Sequence, residues 1–159
     1  MDTMLEIAAQ TMTRVLEAAA FIFTDRMGDG DKPALDTWQA EGVSLRFSGK
    51  PSGIVHMWVS NGFARCVAAN MLGIDQESGA AQEKGLDALK EMLNMIVGNF
   101  LTAAFGEALV FELGLPEKTS PAFMEKHYNS KSSLWLQAEG NPVLFVIETN
   151  PVNPGYPDP

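Results

Sequence analysis

The sequence predicts a single α/β domain of the α+β type, in which helices cover a largely antiparallel sheet. Two long segments, 4–23 and 80–106, repeat apolar residues at the spacing of an amphipathic helix. Two other segments, 43–59 and 134–148, read as pairs of strands joined by a turn, as β-hairpins are. A helix followed by a hairpin in both halves is compatible with an internal duplication.

The chain begins with a helix and a polar loop. The helix predicted from Met4 to Phe23 carries its apolar side at Leu5, Ala8, Met12, Val15, Leu16 and Ala19. Gly, Pro and Asp dominate residues 25–36, which favours a loop. Its aspartates lack the spacing of an EF-hand, and no Glu closes the loop at the twelfth position. We therefore expect a solvated turn there.

A hairpin and a short helix come next. The strands are predicted at 43–47 and 54–59, joined by a turn. The short helix is predicted at 62–72, with Asn61 as its cap and Gly73 as its end.

The long helix is predicted from about Ala80 to about Gly106 and organises the rest of the chain. Its apolar residues recur about every 100° on one side, and they are Leu89, Leu93, Ile96, Val97 and Phe100. Its other side carries a stripe of an acid, an acid, an amide and a glycine, at Asp87, Glu91, Asn94 and Gly98. We call these four residues the polar stripe.

The last part of the chain is predicted to be mostly strand. A strand at 109–113 should stop at Gly114, residues 118–128 give no clear period and are taken as extended, and the second hairpin lies at 134–148. The domain should therefore span 1–149. Residues 150–159 hold four prolines and are predicted to form an extended tail.

Composition excludes several classes of function. A net charge of −9 argues against a nucleic-acid surface and against binding to anionic membranes. No apolar run approaches the roughly 18 residues of a membrane span, and the N-terminus lacks the features of a signal peptide. Cys66 is the only cysteine, which rules out a disulfide framework within the chain. The cytoplasm is the simplest compartment.

Common catalytic motifs are also missing. The sequence contains no nucleophile elbow and no phosphate-binding P-loop. Its two histidines, His56 and His127, stand in no metal-ligand spacing, so we expect no metal site. Cys66 lies among small apolar residues and is interpreted as a packed residue rather than a nucleophile.

The polar stripe has two interpretations. An amphipathic helix normally carries polar residues on its wet face. However, Asn94 is unfavourable in the middle of a helix, because its amide competes for backbone hydrogen bonds. Gly98 costs about 1 kcal/mol relative to Ala and leaves room for another surface to approach. These two residues favour a working surface.

The pattern Asp87-x3-Glu91-x2-Asn94, followed after 21 residues by Pro116, resembles the signature of the CheC/CheX/FliY family of chemotaxis phosphatases. The sequence after Asn94 and the order of elements before the motif are also similar to that family, and the resemblance covers most of residues 4–149. It implies a CheC-like fold and a place in two-component signalling. It further implies a hydrolase that dephosphorylates the aspartate of a CheY-like response regulator.

The resemblance also assigns roles. Glu91 would form a salt bridge with the regulator's active-site lysine, and Asn94 would enter the regulator's site and orient the attacking water. Such an enzyme needs no cofactor of its own, since the regulator holds the Mg²⁺ that neutralises developing charge. Asp87, Gly98 and Met95 would contact the partner. Lys84 and Lys90, or Met92 beside Met95, would help an acidic protein to dock.

The first helix carries the same spacing in Asp2-x3-Glu6-x2-Ala9, but with Ala in place of the amide. An incomplete copy of the motif and a chance match both explain it. One complete site per chain resembles CheX more than CheC, which implies a homodimer. Two alternatives to a phosphatase stay open: a non-catalytic receiver-binding or flagellar-switch-type module of the same fold, and a small-ligand-binding domain.

Overall fold

The computed structural model describes residues 2–150, so all of the tail predicted at 150–159 except Asn150 lies outside the described residues. The helices are α1 (Asp2–Ala20), α2 (Phe63–Leu72), α3 (Gly79–Phe105) and α4 (Pro121–His127). The strands are β1 (Thr24–Arg26), β2 (Ala40–Ser48), β3 (Gly53–Ser60), β4 (Glu112–Leu113), β5 (Glu117–Thr119), β6 (Ser133–Ala138) and β7 (Asn141–Thr149).

The strands form one seven-stranded sheet in the order β1-β6-β7-β3-β2-β4, with β5 also paired to β2. Every pairing is antiparallel. The predicted fold class is thus confirmed. The β2–β3 and β6–β7 hairpins meet at the centre, where β3 pairs with β7.

One face of the sheet is covered by α1, α2 and α3. Alternate residues of the strands point to this face because successive side chains of a strand point in opposite directions. Val55 and Met57 of β3 and Phe145 of β7 lie in the same buried cluster as Leu93 and Phe100 of α3. All five apolar residues predicted for α3 are fully buried. The period of the sequence therefore identified the inner side of this helix correctly.

The opposite face of the sheet has a smaller core. Trp58, Trp135, Leu144 and Val146 are buried there under Met124 of α4. The segment between β1 and β2 adds Met27, Leu35 and Trp38 to the same cluster. The sheet is therefore covered on both sides, and the polar loop predicted at 25–36 partly serves as a cover.

Several elements differ from their predictions. Residues 121–127, taken as extended, form α4, which starts with Pro121 behind the cap Ser120. Both residues are typical of a helix start, but the segment is only two turns long. The loop at 25–36 begins with β1, an edge strand paired to β6. Gly62, not Asn61, is the residue before α2, in a left-handed conformation that glycine adopts without strain.

Of the strand predicted at 109–113, only the two residues of β4 are paired in the sheet. After an interruption, β5 pairs with the same strand, β2. Phe47 pairs with Leu113 and Ser44 pairs with Glu117, so three residues stand opposite two residues of β2. This is a β-bulge. Pro116 lies in it, where the absence of an N–H costs no ladder hydrogen bond.

Gly85 and Gly98, in the interior of α3, have different surroundings, so their replacement by alanine should change stability in opposite directions. A Cβ at Gly85 would lie 3.2 Å from the Arg65 nitrogen and 3.3 Å from the Ala64 carbonyl carbon, both backbone atoms of α2. A Cβ at Gly98 would meet only Leu113, at 3.9 Å. We expect Gly98→Ala to raise the free energy of unfolding by up to about 1 kcal/mol, from helix propensity.

Gly85→Ala gains the same propensity but forces α2 and α3 apart, which costs roughly 1–3 kcal/mol. It should therefore lower the free energy of unfolding. Urea unfolding followed by circular dichroism measures both variants. An equal gain in stability from the two substitutions would contradict the close packing of α2 on Gly85.

Candidate functional site

The polar stripe lies along α3 on the side away from the sheet core. Its members follow one another at spacings of four, three and four residues, so they share one face of the helix. The helix is well anchored below them. Ser78 caps its start by accepting a hydrogen bond from the Ala81 nitrogen, and its inner side is buried over several turns. A rigid element therefore carries the stripe.

The two acids of the stripe are free to meet a partner. Asp87 and Glu91 are exposed. Within residues 2–150, neither carboxylate forms an ion pair or a side-chain hydrogen bond. A carboxylate without an internal partner keeps its full capacity to bind a cation that approaches from outside.

Asn94 is half-buried in the middle of the stripe. No described residue hydrogen-bonds with its carboxamide. Asn99, on the same helix, behaves differently, because its Nδ2 donates to the Met95 carbonyl oxygen at 2.8 Å. Asn94 thus holds a donor and an acceptor beside Glu91 with no structural use inside the described chain.

Gly98 and the methionines differ from their predicted positions in detail. Gly98 is half-buried and faces Leu113, so part of the space that we expected to be open is filled by the chain itself. Met95 is half-buried and packs against the helix-side core. Met92 is fully buried, which makes it a core residue and removes it from the contact surface. Lys84 is exposed and Lys90 is half-buried.

The incomplete motif of the first helix has no matching geometry. Oε2 of Glu6 lies 3.4 Å from Nη1 of Arg26, and Oε1 of Glu6 accepts a hydrogen bond from Gln10. Ala9 is 5% exposed and belongs to the core. The acid already has internal partners and the amide is absent, so among the described residues the complete arrangement occurs on α3 alone.

A second cluster of polar residues lies on the other face of the sheet, and sequence reasoning missed it. His56 of β3, His127 of α4 and Glu148 of β7 bring their ligand atoms within 4.8 Å of one another. The histidines are far apart in sequence, and α4 was not expected, so no spacing could have revealed the cluster. Burial lowers the pKa of His56, and the Glu148 carboxylate partly opposes that effect.

The surroundings of Cys66 disfavour a nucleophilic thiolate. Cys66 is half-buried against the helix-side core. Burial raises the pKa of its thiol, and Glu139 acts in the same direction. The thiolate, which is the reactive form, is therefore disfavoured.

Among residues 2–150, no helix combines the length and the hydropathy that a transmembrane span requires. A comparison with curated proteins gives no match. Known solved structures share the fold. A chain of the CheX–CheY–BeF3–Mg²⁺ complex from Borrelia burgdorferi is 20% identical, with 91% of this chain and 96% of that chain covered and a TM-score of 0.65.

Two further structures agree with the first. Chemotaxis protein CheX from Vibrio vulnificus is 16% identical, with 92% and 96% of the two chains covered and a TM-score of 0.67. FliY from Thermotoga maritima is 14% identical, with 91% and 87% covered and a TM-score of 0.54. At these identities the structures establish the fold alone. The family comes from the sequence: residues 42–137, more than half of the chain, match the family described as "Chemotaxis phosphatase CheX", and the chain belongs to the CheX family of chemotaxis phosphatases.

Proposed function

We propose that the protein removes the phosphoryl group from the aspartate of a CheY-like receiver domain, with Asn94 orienting the attacking water and Glu91 docking on the receiver's lysine. One observation carries the proposal: the exposed Glu91 and the half-buried Asn94 lie side by side on α3, and no described residue forms a hydrogen bond or ion pair with either side chain. Membership of the CheX family supports the reaction. The structural neighbour from Borrelia burgdorferi was solved with CheY, which supports the partner.

The chemistry suits a site with so few groups. Water attacks the phosphorus atom, the bond from phosphorus to the aspartate oxygen breaks, and the carboxylate leaves with inorganic phosphate as the other product. The Mg²⁺ of the receiver neutralises charge on the phosphoryl group. What α3 adds is a positioned water. A neutral amide can approach the phosphoryl oxygens, and its carbonyl oxygen can accept a hydrogen bond from the water.

Docking also needs contacts around the polar stripe. The protein is strongly acidic, so Lys84 and Lys90 supply positive charge near the stripe. Apolar contacts come from the segment after α3, where Val110 is 83% and Leu115 is 86% exposed. Leu113 of the same segment lies against Gly98, which places this segment next to the stripe. Asp87 and Met95 complete the proposed contact surface.

The direct test follows phosphate release from a phosphorylated receiver domain with Mg²⁺, with and without the protein. A shortened phosphoryl half-life supports a phosphatase. Binding of the phosphorylated receiver with an unchanged half-life would instead make the chain a receiver-binding module. The homodimer and the cytoplasmic location stay predictions.

Replacement of Glu91 should weaken docking more than turnover. We expect Glu91→Ala to raise the receiver concentration for half-maximal rate about tenfold, which corresponds to about 1.4 kcal/mol of binding, with a smaller change in kcat. Glu125→Ala is the matched control, because Glu125 is also an exposed helical acid but lies on α4, on the opposite face of the sheet. Steady-state kinetics at several receiver concentrations distinguish the two parameters. Equal behaviour of the two variants would remove Glu91 from the docking surface.

A further inference from the structure

The cluster of His56, His127 and Glu148 lies on the face of the sheet opposite α3. Nε2 of His127 is 2.8 Å from Oε1 of Glu148, and Nε2 of His56 is 3.6 Å from the same oxygen. Both histidines are buried, at 6% and 5% exposure, whereas the Glu148 carboxylate is half-exposed. Three elements that are distant in sequence thus converge on one point at the surface.

These separations fit a small tetrahedral metal site. Ligand bonds of about 2.0–2.2 Å place neighbouring ligand atoms of a tetrahedron roughly 3.4 Å apart. The two separations from Oε1 of Glu148, 2.8 and 3.6 Å, lie on either side of that value. The three ligand atoms already lie within 4.8 Å of one another, so a rotation of the half-exposed Glu148 side chain would equalise the two separations.

The cluster of His56, His127 and Glu148 leaves a buried ligand nitrogen without a hydrogen bond. Despite the short separation, Nε2 of His127 is buried and makes no hydrogen bond of acceptable geometry with any described residue. A buried polar atom in this condition destabilises the fold unless a ligand supplies the missing partner. The imidazole rings are held in place by stacking: His56 lies 5.2 Å from the ring of Trp58 and 5.8 Å from that of His127, centroid to centroid. The unpartnered nitrogen therefore points into a preformed site.

We propose that His56, His127 and Glu148 bind a divalent transition-metal ion of the zinc type. Two imidazoles and one carboxylate suit such an ion, whereas Mg²⁺ and Ca²⁺ prefer oxygen ligands. The fourth position opens into a cleft of about 490 Å³. Arg46, Lys118 and Lys126 line that cleft, so its fourth ligand is an anion or a hydroxide. The site is separate from α3 and does not depend on the proposed phosphatase activity.

The test uses the full chain and zinc alone. Isothermal titration of the metal-free protein with zinc chloride should give one site per chain, and Co²⁺ should give the visible spectrum of a tetrahedral complex. We expect His127→Gln and Glu148→Gln each to weaken zinc binding by at least about tenfold. Glu117→Gln, a change in the same cleft, and Cys66→Ser, which removes the only thiol, should leave the affinity unchanged.

Far-UV circular dichroism in the presence of a chelator shows whether each variant folds. The Glu148 side chain is half-exposed, so the Glu148→Gln variant should fold even if the variant at the buried His127 does not. The absence of zinc binding by the unmodified protein would overturn the proposal. Undiminished binding by folded Glu148→Gln, or loss of binding in Cys66→Ser, would overturn it as well.

Discussion

Replacement of Asn94 by alanine is expected to abolish the stimulated release of phosphate from a phosphorylated receiver, with a loss of about 10²-fold or more in kcat. The reason is that the carboxamide is the group proposed to hold the attacking water. It has no hydrogen bond with any described residue, so its removal leaves no unsatisfied partner behind. Asn94 is also half-buried rather than part of the core. The fold should therefore survive, and Ala even favours the helix.

Two further variants make the result specific. Asn94→Asp keeps the shape but adds a negative charge that the phosphoryl group repels, so it should be as inactive as the alanine variant. Asn99→Ala removes an amide from the same helix that is already bonded to the Met95 carbonyl, and it should retain activity. Phosphate release and binding of the receiver are measured separately for each. Full activity in Asn94→Ala would refute the proposed role, whatever the docking data show.

The largest expected effect on stability comes from the other side of the same helix. Phe100 is completely buried between α3 and the sheet. Phe100→Ala should lower the free energy of unfolding by about 3–5 kcal/mol, through lost burial and the cavity that remains. A loss of this size is a large fraction of the stability of an ordinary domain. Denaturant unfolding gives the change from the shift in midpoint, provided the slope is constant.

Thr102→Ala is the matched control for Phe100. Thr102 is exposed two residues further along α3, and its Oγ1 donates only to the Gly98 carbonyl within the helix. We expect a change within about 0.5 kcal/mol. Similar losses in the two variants would mean that α3 is not held to the sheet mainly by its apolar side.

Sequence reasoning succeeded where a physical pattern extends over many residues. The inner face of α3 could be read from its period, and the strands β2, β3, β6 and β7 could be read from their hydrophobic runs and turns. The polar stripe followed from the same helix, because a residue on a regular helix has a calculable direction. Pro116 was identified as a family feature, but its place in a bulge opposite β2 required the pairing register.

The errors fall where local pattern is short or where distance in sequence is large. Helix α4 has seven residues, too few to establish a period. Met92 stands at the margin between the two sides of α3, and only the packing of the helix decided that it is fully buried. The cluster of His56, His127 and Glu148 depends on the meeting of β3, α4 and β7. No local property of these three residues predicts that meeting.

The pairing of β3 with β7 has a consequence for how the chain folds. It joins residues that are far apart in sequence, such as Gly53 with Thr149 and Val59 with Val143. Each hairpin can form locally, but their junction must first close a long loop, which makes it a slow step. Until β3 and β7 pair, the sheet face that buries the apolar side of α3 is incomplete. We therefore expect α3, which carries the polar stripe, to complete its packing against the sheet only after β3 has paired with β7.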